Sequence, residues 1–318
     1  MAGLFQVLWG QEDGEFQTAE PLVDAEGKPL EIPPGKDAED SGSVSLDAIC
    51  TRPTAVDWDG DGDLDLVVGN FGGTFFVFEG EGGGVFLPTP EQIVVGNEPL
   101  KILGHHSDPF IVDWDLDGDL DVVSGSSQGG VQWAENEAGA GEPARLTQFK
   151  GLVPAANQIE FGQLINASDL QGPTTSTRVW VDDVNSDGKW DLIVGDSVTL
   201  TSPVPGMTVE AYEEKLEEWQ KKLSAASRRM STAMTISDES LEEENDETAD
   251  MAADDAAGES GVSSVVSGWI SSLFGDGSSK SSLSVQEKAQ QEISDLYQQR
   301  SEFMDSESTG FVWIYLQQ

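Results

Sequence analysis

Three stretches of this chain carry aspartate at alternate positions directly before an apolar run, and that arrangement limits what the chain can fold into. Residues 53–70 read PTAVDWDGDGDLDLVVGN, residues 109–126 PFIVDWDLDGDLDVVSGS and residues 179–196 VWVDDVNSDGKWDLIVGD. A period of two sends alternate side chains of an extended segment to one side, where like charges repel at close range unless a counter-ion joins them. The runs that follow, LDLVV, LDVV and WDLIV, are β-branched and uninterrupted, the mark of strands buried on both faces. Each acidic loop is therefore expected to join two strands.

The spacing names the counter-ion. Oxygen donors at loop positions 1, 3, 5 and 9 with glycine at position 6 suit calcium, which takes about six to eight oxygens from a tightly turned loop. In the first loop these are Asp57, Asp59, Asp61 and Asp65 with Gly62; in the second Asp113, Asp115, Asp117 and Asp121 with Gly118; in the third Asp183, Asn185, Asp187 and Asp191 with Gly188. Position 7 holds Asp63, Asp119 and then Lys189. A lysine side chain cannot ligate the ion, so position 7 is expected to contribute its backbone carbonyl. The third loop, with Asn185 and Lys189, is the least negative of the three and the weakest expected site.

These loops and their flanks resemble FG-GAP or VCBS repeats, the calcium-loop blades of integrin-α-type β-propellers. The resemblance covers most of residues 1–197 and the last strand, 309–318. It implies a mainly β fold in which each blade carries a metal loop between its first two strands, with about three and a half blades in this chain. It also implies export, with an extracellular, periplasmic or cell-surface location where calcium is abundant. A signal peptide is not evident in MAGLFQVLWG.

An internal repeat extends beyond the loops. FQVLWGQEDGEF (5–16) matches the end of GTFFVFEGEGGGVF (73–86), placing Phe5 over Phe75, Val7 over Val77, Gly10 over Gly80 and Phe16 over Phe86. GGVQWAENEAG (129–139) repeats the same strand after the second loop. The chain thus opens in the outer hairpin of a blade and closes on FVWIYLQQ (311–318), which reads as a third strand. Both ends supply the same strand and do not complement each other, so the chain is expected to be the C-terminal part of a longer propeller, or to associate with further copies of itself.

The last blade is interrupted by residues 198–308. Val209, Tyr212, Leu216, Trp219, Leu223, Ala226 and Met230 follow steps of three and four, a heptad seam. A second helix is expected from Ser284, with Glu287 closing a capping box and Ala289, Ile293, Leu296 and Phe303 on one face, giving an antiparallel coiled-coil-like hairpin. Between them, about residues 231–260 include the acidic run SDESLEEENDETADMAADDAAGE (237–259) and are expected to be disordered. An uncharged amphipathic segment follows, with Val262, Val265, Val266, Trp269, Ile270, Leu273 and Phe274 in one stripe, as the candidate partner-binding element.

Composition sets the remaining bounds. Acidic residues number 59 against 16 basic ones, a formal net charge of −43, which repels nucleic-acid phosphates and anionic membranes and attracts divalent cations. The expected partner is an unidentified protein or glycan, and neither nucleic acid nor membrane. Cys50 stands alone, which excludes an internal disulfide and reads as a small buried or half-buried residue. His105 and His106 are adjacent and point to opposite sides of an extended segment, so they do not jointly clamp a metal. No nucleophile, base and orienting group stand out together, and the chain reads as a binding or scaffold module rather than an enzyme. Propellers of this kind also occur as parts of carbohydrate-active enzymes and as structural surface components, the alternative readings.

Overall fold

The computed structural model describes residues 5–33, 45–139, 142–156, 158–246 and 282–318. Two compact units divide the chain: Met1–Glu160, Ile165–Leu200 and Ser308–Gln318 form the first, Phe161–Leu164 and Thr201–Glu307 the second.

The first unit is mainly β. It begins with a two-stranded pair, β1 (Gln6–Val7) and β2 (Glu20–Pro21). Sheet I follows with β3 (Arg52–Val56), β4 (Asp65–Gly69), β5 (Phe75–Phe78) and β6 (Glu91–Gln92), hydrogen-bonded in chain order. After a short ribbon of β7 (Val94–Val95) and β8 (Glu98–Pro99), sheet II repeats the arrangement with β9 (Asp108–Val112), β10 (Asp121–Gly125), β11 (Val131–Ala134) and β12 (Lys150–Val153). Sheet III holds β13 (Thr175–Asp182), β14 (Asp191–Pro203), β15 (Met304–Thr309) and β16 (Val312–Tyr315), with β14 pairing β13, β15 and β16; β14 from Thr201 and β15 through Glu307 fall in the second unit. All the registered pairs are antiparallel, and no described sheet closes on itself.

The three sheets share a common register in their second and third strands. Val67 lies opposite Val77, Val123 opposite Trp133 and Ile193 opposite Ile314, so β5, β11 and β16 occupy equivalent third positions. The initial segment matches the outer half of sheet I: Gln6 pairs Pro21 as Phe76 pairs Gln92, and Gly10 bridges Phe16 as Gly80 bridges Phe86. We call residues 5–33 the outer half-sheet.

Every residue of β4 and β10 is buried, which follows from apolar cover on both faces. Leu66, Val68, Phe76 and Phe78 pack against Phe5, Leu30 and Ile32 of the half-sheet. The opposite face of sheet I, with Val67 and Phe75, packs on Ile111, Val122 and Ala134 of sheet II. Sheet II then turns Val123 and Val131 toward Val181, Leu192 and Val194 of sheet III. Alternation of side chains along each strand thus feeds two cores at once.

In the second unit α1 (Val209–Asp246) and α2 (Ser282–Gln299) pack through Tyr212, Trp219, Ala226, Leu296 and Phe303, with Leu216, Leu223 and Ile293 beside them. The pairing is antiparallel, since Tyr212 meets Phe303 while Arg229 meets Glu292. The heptad seam therefore packs from Tyr212 to Ala226, while Val209, read as its first position, is exposed and Met230 lies outside the cluster.

Three expectations need correction. Helix α2 starts at Ser282, so Ser284 lies inside its first turn and is not the cap. Helix α1 continues to Asp246, so residues 231–246, expected to be disordered, are helical; glutamate is a good helix former and extending a formed helix is far easier than nucleating one. Cys50 is exposed, at φ 54° in the turn before β3. The stripe from Val262 to Phe274 and the rest of the acidic run lie outside the described residues. Among those described, no helix is long and apolar enough to cross a membrane.

Candidate metal centre

Each acidic loop connects the first two strands of its sheet: β3 to β4, β9 to β10 and β13 to β14. Glycine at position 6 adopts φ 99° at Gly62, 104° at Gly118 and 83° at Gly188, the left-handed region that only glycine enters freely. Position 4 is left-handed as well, with Gly60 at 79°, Leu116 at 64° and Ser186 at 60°. Two left-handed residues in one loop curl it tightly enough for positions 1, 3 and 5 to converge.

Convergence is observed in two loops. One carboxylate oxygen each from Asp57, Asp59 and Asp61 lie within 4.8 Å of one another, and the same holds for Asp113, Asp115 and Asp117. Each such pair of charges repels by about 1 kcal/mol even in water. Burial, and then the charge of Asp117, raise the Asp115 carboxyl above its ordinary range. The third loop repeats the geometry with an amide in the middle: Asn185 Nδ2 donates to Asp187 Oδ2 at 3.1 Å.

Backbone amides order the clusters. Position 1 accepts from position 6 in all three loops, Gly62 N to Asp57 at 3.1 Å, Gly118 N to Asp113 at 3.0 Å and Gly188 N to Asp183 at 2.9 Å. Position 5 accepts from the amide of position 7, as Asp63 N to Asp61 at 2.8 Å, Asp119 N to Asp117 at 3.2 Å and Lys189 N to Asp187 at 3.0 Å. Position 7 donates its backbone N–H in all three loops, an interaction that Lys189 makes as well as aspartate does. These bonds occupy part of each carboxylate, and Asp57 Oδ1 is buried with no partner. An orphaned carboxylate oxygen among converging anions fits a cation.

Position 9 stands apart from the triads. Asp65 takes Trp58 N on Oδ2 at 2.8 Å and Gly80 N on Oδ1 at 2.7 Å. Asp121 does the same with Trp114 N and Asn136 N, and Asp191 with Val184 N and Gln317 N. Each carboxylate ties the loop to the end of the third strand. Burial pushes the Asp121 carboxyl up to about 6, against the pull of its two backbone hydrogen bonds. At position 7, Asp119 is buried, with Oδ2 accepting from Gly139 N at 2.5 Å and Oδ1 unpartnered.

A charged set that sequence reading missed joins the three sheets at their first strands. Arg52 Nη1 lies 3.2 Å and Arg178 Nη1 3.5 Å from Asp108 Oδ1. All three stand five residues before a loop's first aspartate, an offset visible in the sequence once the loops are aligned. Next to them His105 stacks on Phe71 and His106 meets the same ring edge-on, so the two do not point to opposite sides as expected: His106 has a left-handed φ of 59°, and the segment is not extended there.

No protein-family model, curated protein or solved structure matches this chain.

Proposed function

We propose that this chain is a calcium-binding module of the propeller type, whose metal loops have a structural role and whose sheets are blades presenting a surface for an unidentified protein or glycan outside the cell. The observation that carries the reading is the pair of carboxylate triads, Asp57, Asp59, Asp61 and Asp113, Asp115, Asp117, at equivalent places in successive sheets. Oxygen-only donors favour a hard cation, and a flexible loop favours calcium over magnesium, which requires near-octahedral geometry. The carbonyls of Asp63 and Asp119 supply further oxygens, and Asp65 and Asp121 hold the loops in shape from behind. The third loop, through Asp183, Asn185 and Asp187, binds more weakly. Calcium there cancels repulsion between groups that the fold forces together, so it stabilises the sheets rather than driving a conformational switch. The blade assignment draws on three face-to-face sheets that share the arrangement of their first three strand places, the first two sheets adding a fourth strand in chain order. It draws also on their link at the first strands by Arg52, Asp108 and Arg178.

The test is calorimetric titration of the purified chain with calcium, and separately with magnesium, alongside thermal melting in chelator and in excess calcium. The reading expects two strong calcium sites, a weaker third, feeble magnesium binding and a rise in melting temperature through linkage. Absence of calcium binding overturns it.

A further inference from the structure

Each internal junction between sheets is built from the same parts. At the junction of sheets I and II, Ser107 N donates to Asn70 O and the Ser107 hydroxyl accepts from Asn70 N. At the junction of sheets II and III, Thr177 N donates to Ser126 O and its hydroxyl accepts from Ser126 N. The residue before each clamped position is glycine, and a side chain there would collide with the neighbouring strand: Gly69 with the Ser107 carbonyl, Gly125 with the Thr177 carbonyl. Around these contacts Val67, Phe75, Val123 and Val131 are wholly buried.

Sheet III carries the glycine and the apolar residues of such a face, while Asp196, in the place of Asn70 and Ser126, donates its N–H to Phe311 O within its own sheet at 3.1 Å. Gly195 stands opposite Val312 as Gly125 stands opposite Val131, yet no heavy atom beyond its chain neighbours lies within 4 Å of where its Cβ would be. Val312 and Ile314, equivalent to Phe75 and Val77 of sheet I, are 70% and 55% exposed. The other end of the stack has the complementary deficit. Thr51 matches Ser107 and Thr177 in position but makes no clamp among the described residues. Pro53 and Ala55 are exposed where Pro109 and Ile111 are buried, and Leu8 and Phe16 of the half-sheet are exposed where Phe78 and Phe86 are buried.

We propose that the outward face of sheet III, centred on Gly195, Val312 and Ile314, is an interaction surface for a second copy of this chain, which meets it with the face bearing Leu8, Phe16, Thr51 and Ala55. The chain itself identifies the occupant. Among the described residues, each covered face of this kind meets the opposite face of another sheet, and the exposed faces are of the two complementary sorts. Two different complementary patches on one molecule give heterologous, head-to-tail association. With a net charge of −43 on each copy, long-range repulsion opposes contact, so association strengthens as salt screens it. The surface is distinct from the acidic triads and does not rest on the calcium reading.

Sedimentation of the full chain at rising concentration and salt tests this. Gly195→Val fits open space in an extended strand and leaves the circular dichroism of the monomer unchanged, while its added bulk blocks the junction; Val312→Glu is a second block on the same face, and Ala55→Glu blocks the opposite one. Wild type should at least double in mass, each single variant should lose that increase, and an equimolar mixture of Gly195→Val with Ala55→Glu should recover a species of twice the monomer mass, because each retains one intact face. A wild type that stays monomeric at every concentration and salt overturns the proposal. So does an oligomer that survives all three variants, or a mixture that stays monomeric.

Discussion

Asp65 Oδ1 accepts the backbone N–H of Gly80 at 2.7 Å, fastening the acidic loop to the chain fifteen residues further on. Its other oxygen accepts Trp58 N, and the side chain is 2% exposed. Both oxygens are acceptors for backbone donors, and an amide in their place would turn an NH2 against one donor. Asp65→Asn is expected to cost about 2–3 kcal/mol, the scale of a lost buried bond to a charged group. Urea unfolding in chelator measures it free of any metal contribution; an unchanged midpoint would remove Asp65 from this role.

A residue of the triad should behave in the opposite sense. Asp59 is exposed and sits among like charges. In chelator, Asp59→Asn relieves repulsion and should raise the unfolding midpoint slightly. In excess calcium it weakens the site and should lower the midpoint relative to wild type. A crossing of the two proteins' stabilities between the two buffers is the expected signature, and parallel behaviour in both would argue that no ion occupies the loop.

Much of this architecture is legible in the residues because the repeat is periodic in charge as well as in hydrophobicity. The loops, the buried second strands, the third-strand place of 311–318 and the helical seam from Tyr212 to Ala226 all follow from spacing. Position 9 is not resolved that way, since a metal ligand and a carboxylate tying two backbone amides both require aspartate at that place. The Arg52, Asp108 and Arg178 set alternates in sign from sheet to sheet, so no repeated residue marks it. Ser284 misleads because its capping pattern sits two residues inside the helix, within its first turn.

Position 4 of the loops offers a gain in stability. Leu116 holds φ 64° and is 59% exposed, so it bears the strain of a left-handed residue and buries little in return. Gly60 occupies the equivalent place in the first loop at φ 79°. Relief of about 1–2 kcal/mol of strain, less about 0.4–1 kcal/mol from the freer unfolded chain, leaves Leu116→Gly more stable by roughly 0.5–1 kcal/mol. Gly60→Ala should change stability in the reverse direction, and both are read by thermal melting.

In the helical unit, Trp219 Nε1 donates to Leu296 O at 2.6 Å from a side chain 4% exposed. Trp219→Phe keeps an aromatic ring in the seam but leaves that carbonyl without its indole donor. A loss of about 1–3 kcal/mol is expected, followed as the urea dependence of the helical circular dichroism. Equal midpoints for the two proteins would place the tryptophan's contribution in packing alone.

His106 gives the chain a pH response of defined sign. Burial, and then the charges of Arg52, His105 and Arg178, hold its imidazole below the ordinary 6.5. Above 6.5 the folded and unfolded chains both carry it neutral, and it contributes no pH dependence. As pH falls below 6.5 the unfolded chain takes up the proton first, so folding stability declines down to the depressed folded pKa and rises again on the return. Asn tolerates the left-handed φ of 59° found at this residue and does not titrate. The difference in unfolding free energy between wild type and His106→Asn should therefore be flat above pH 6.5 and shift against wild type below it; a difference that is flat throughout would show that the imidazole titrates alike in both states.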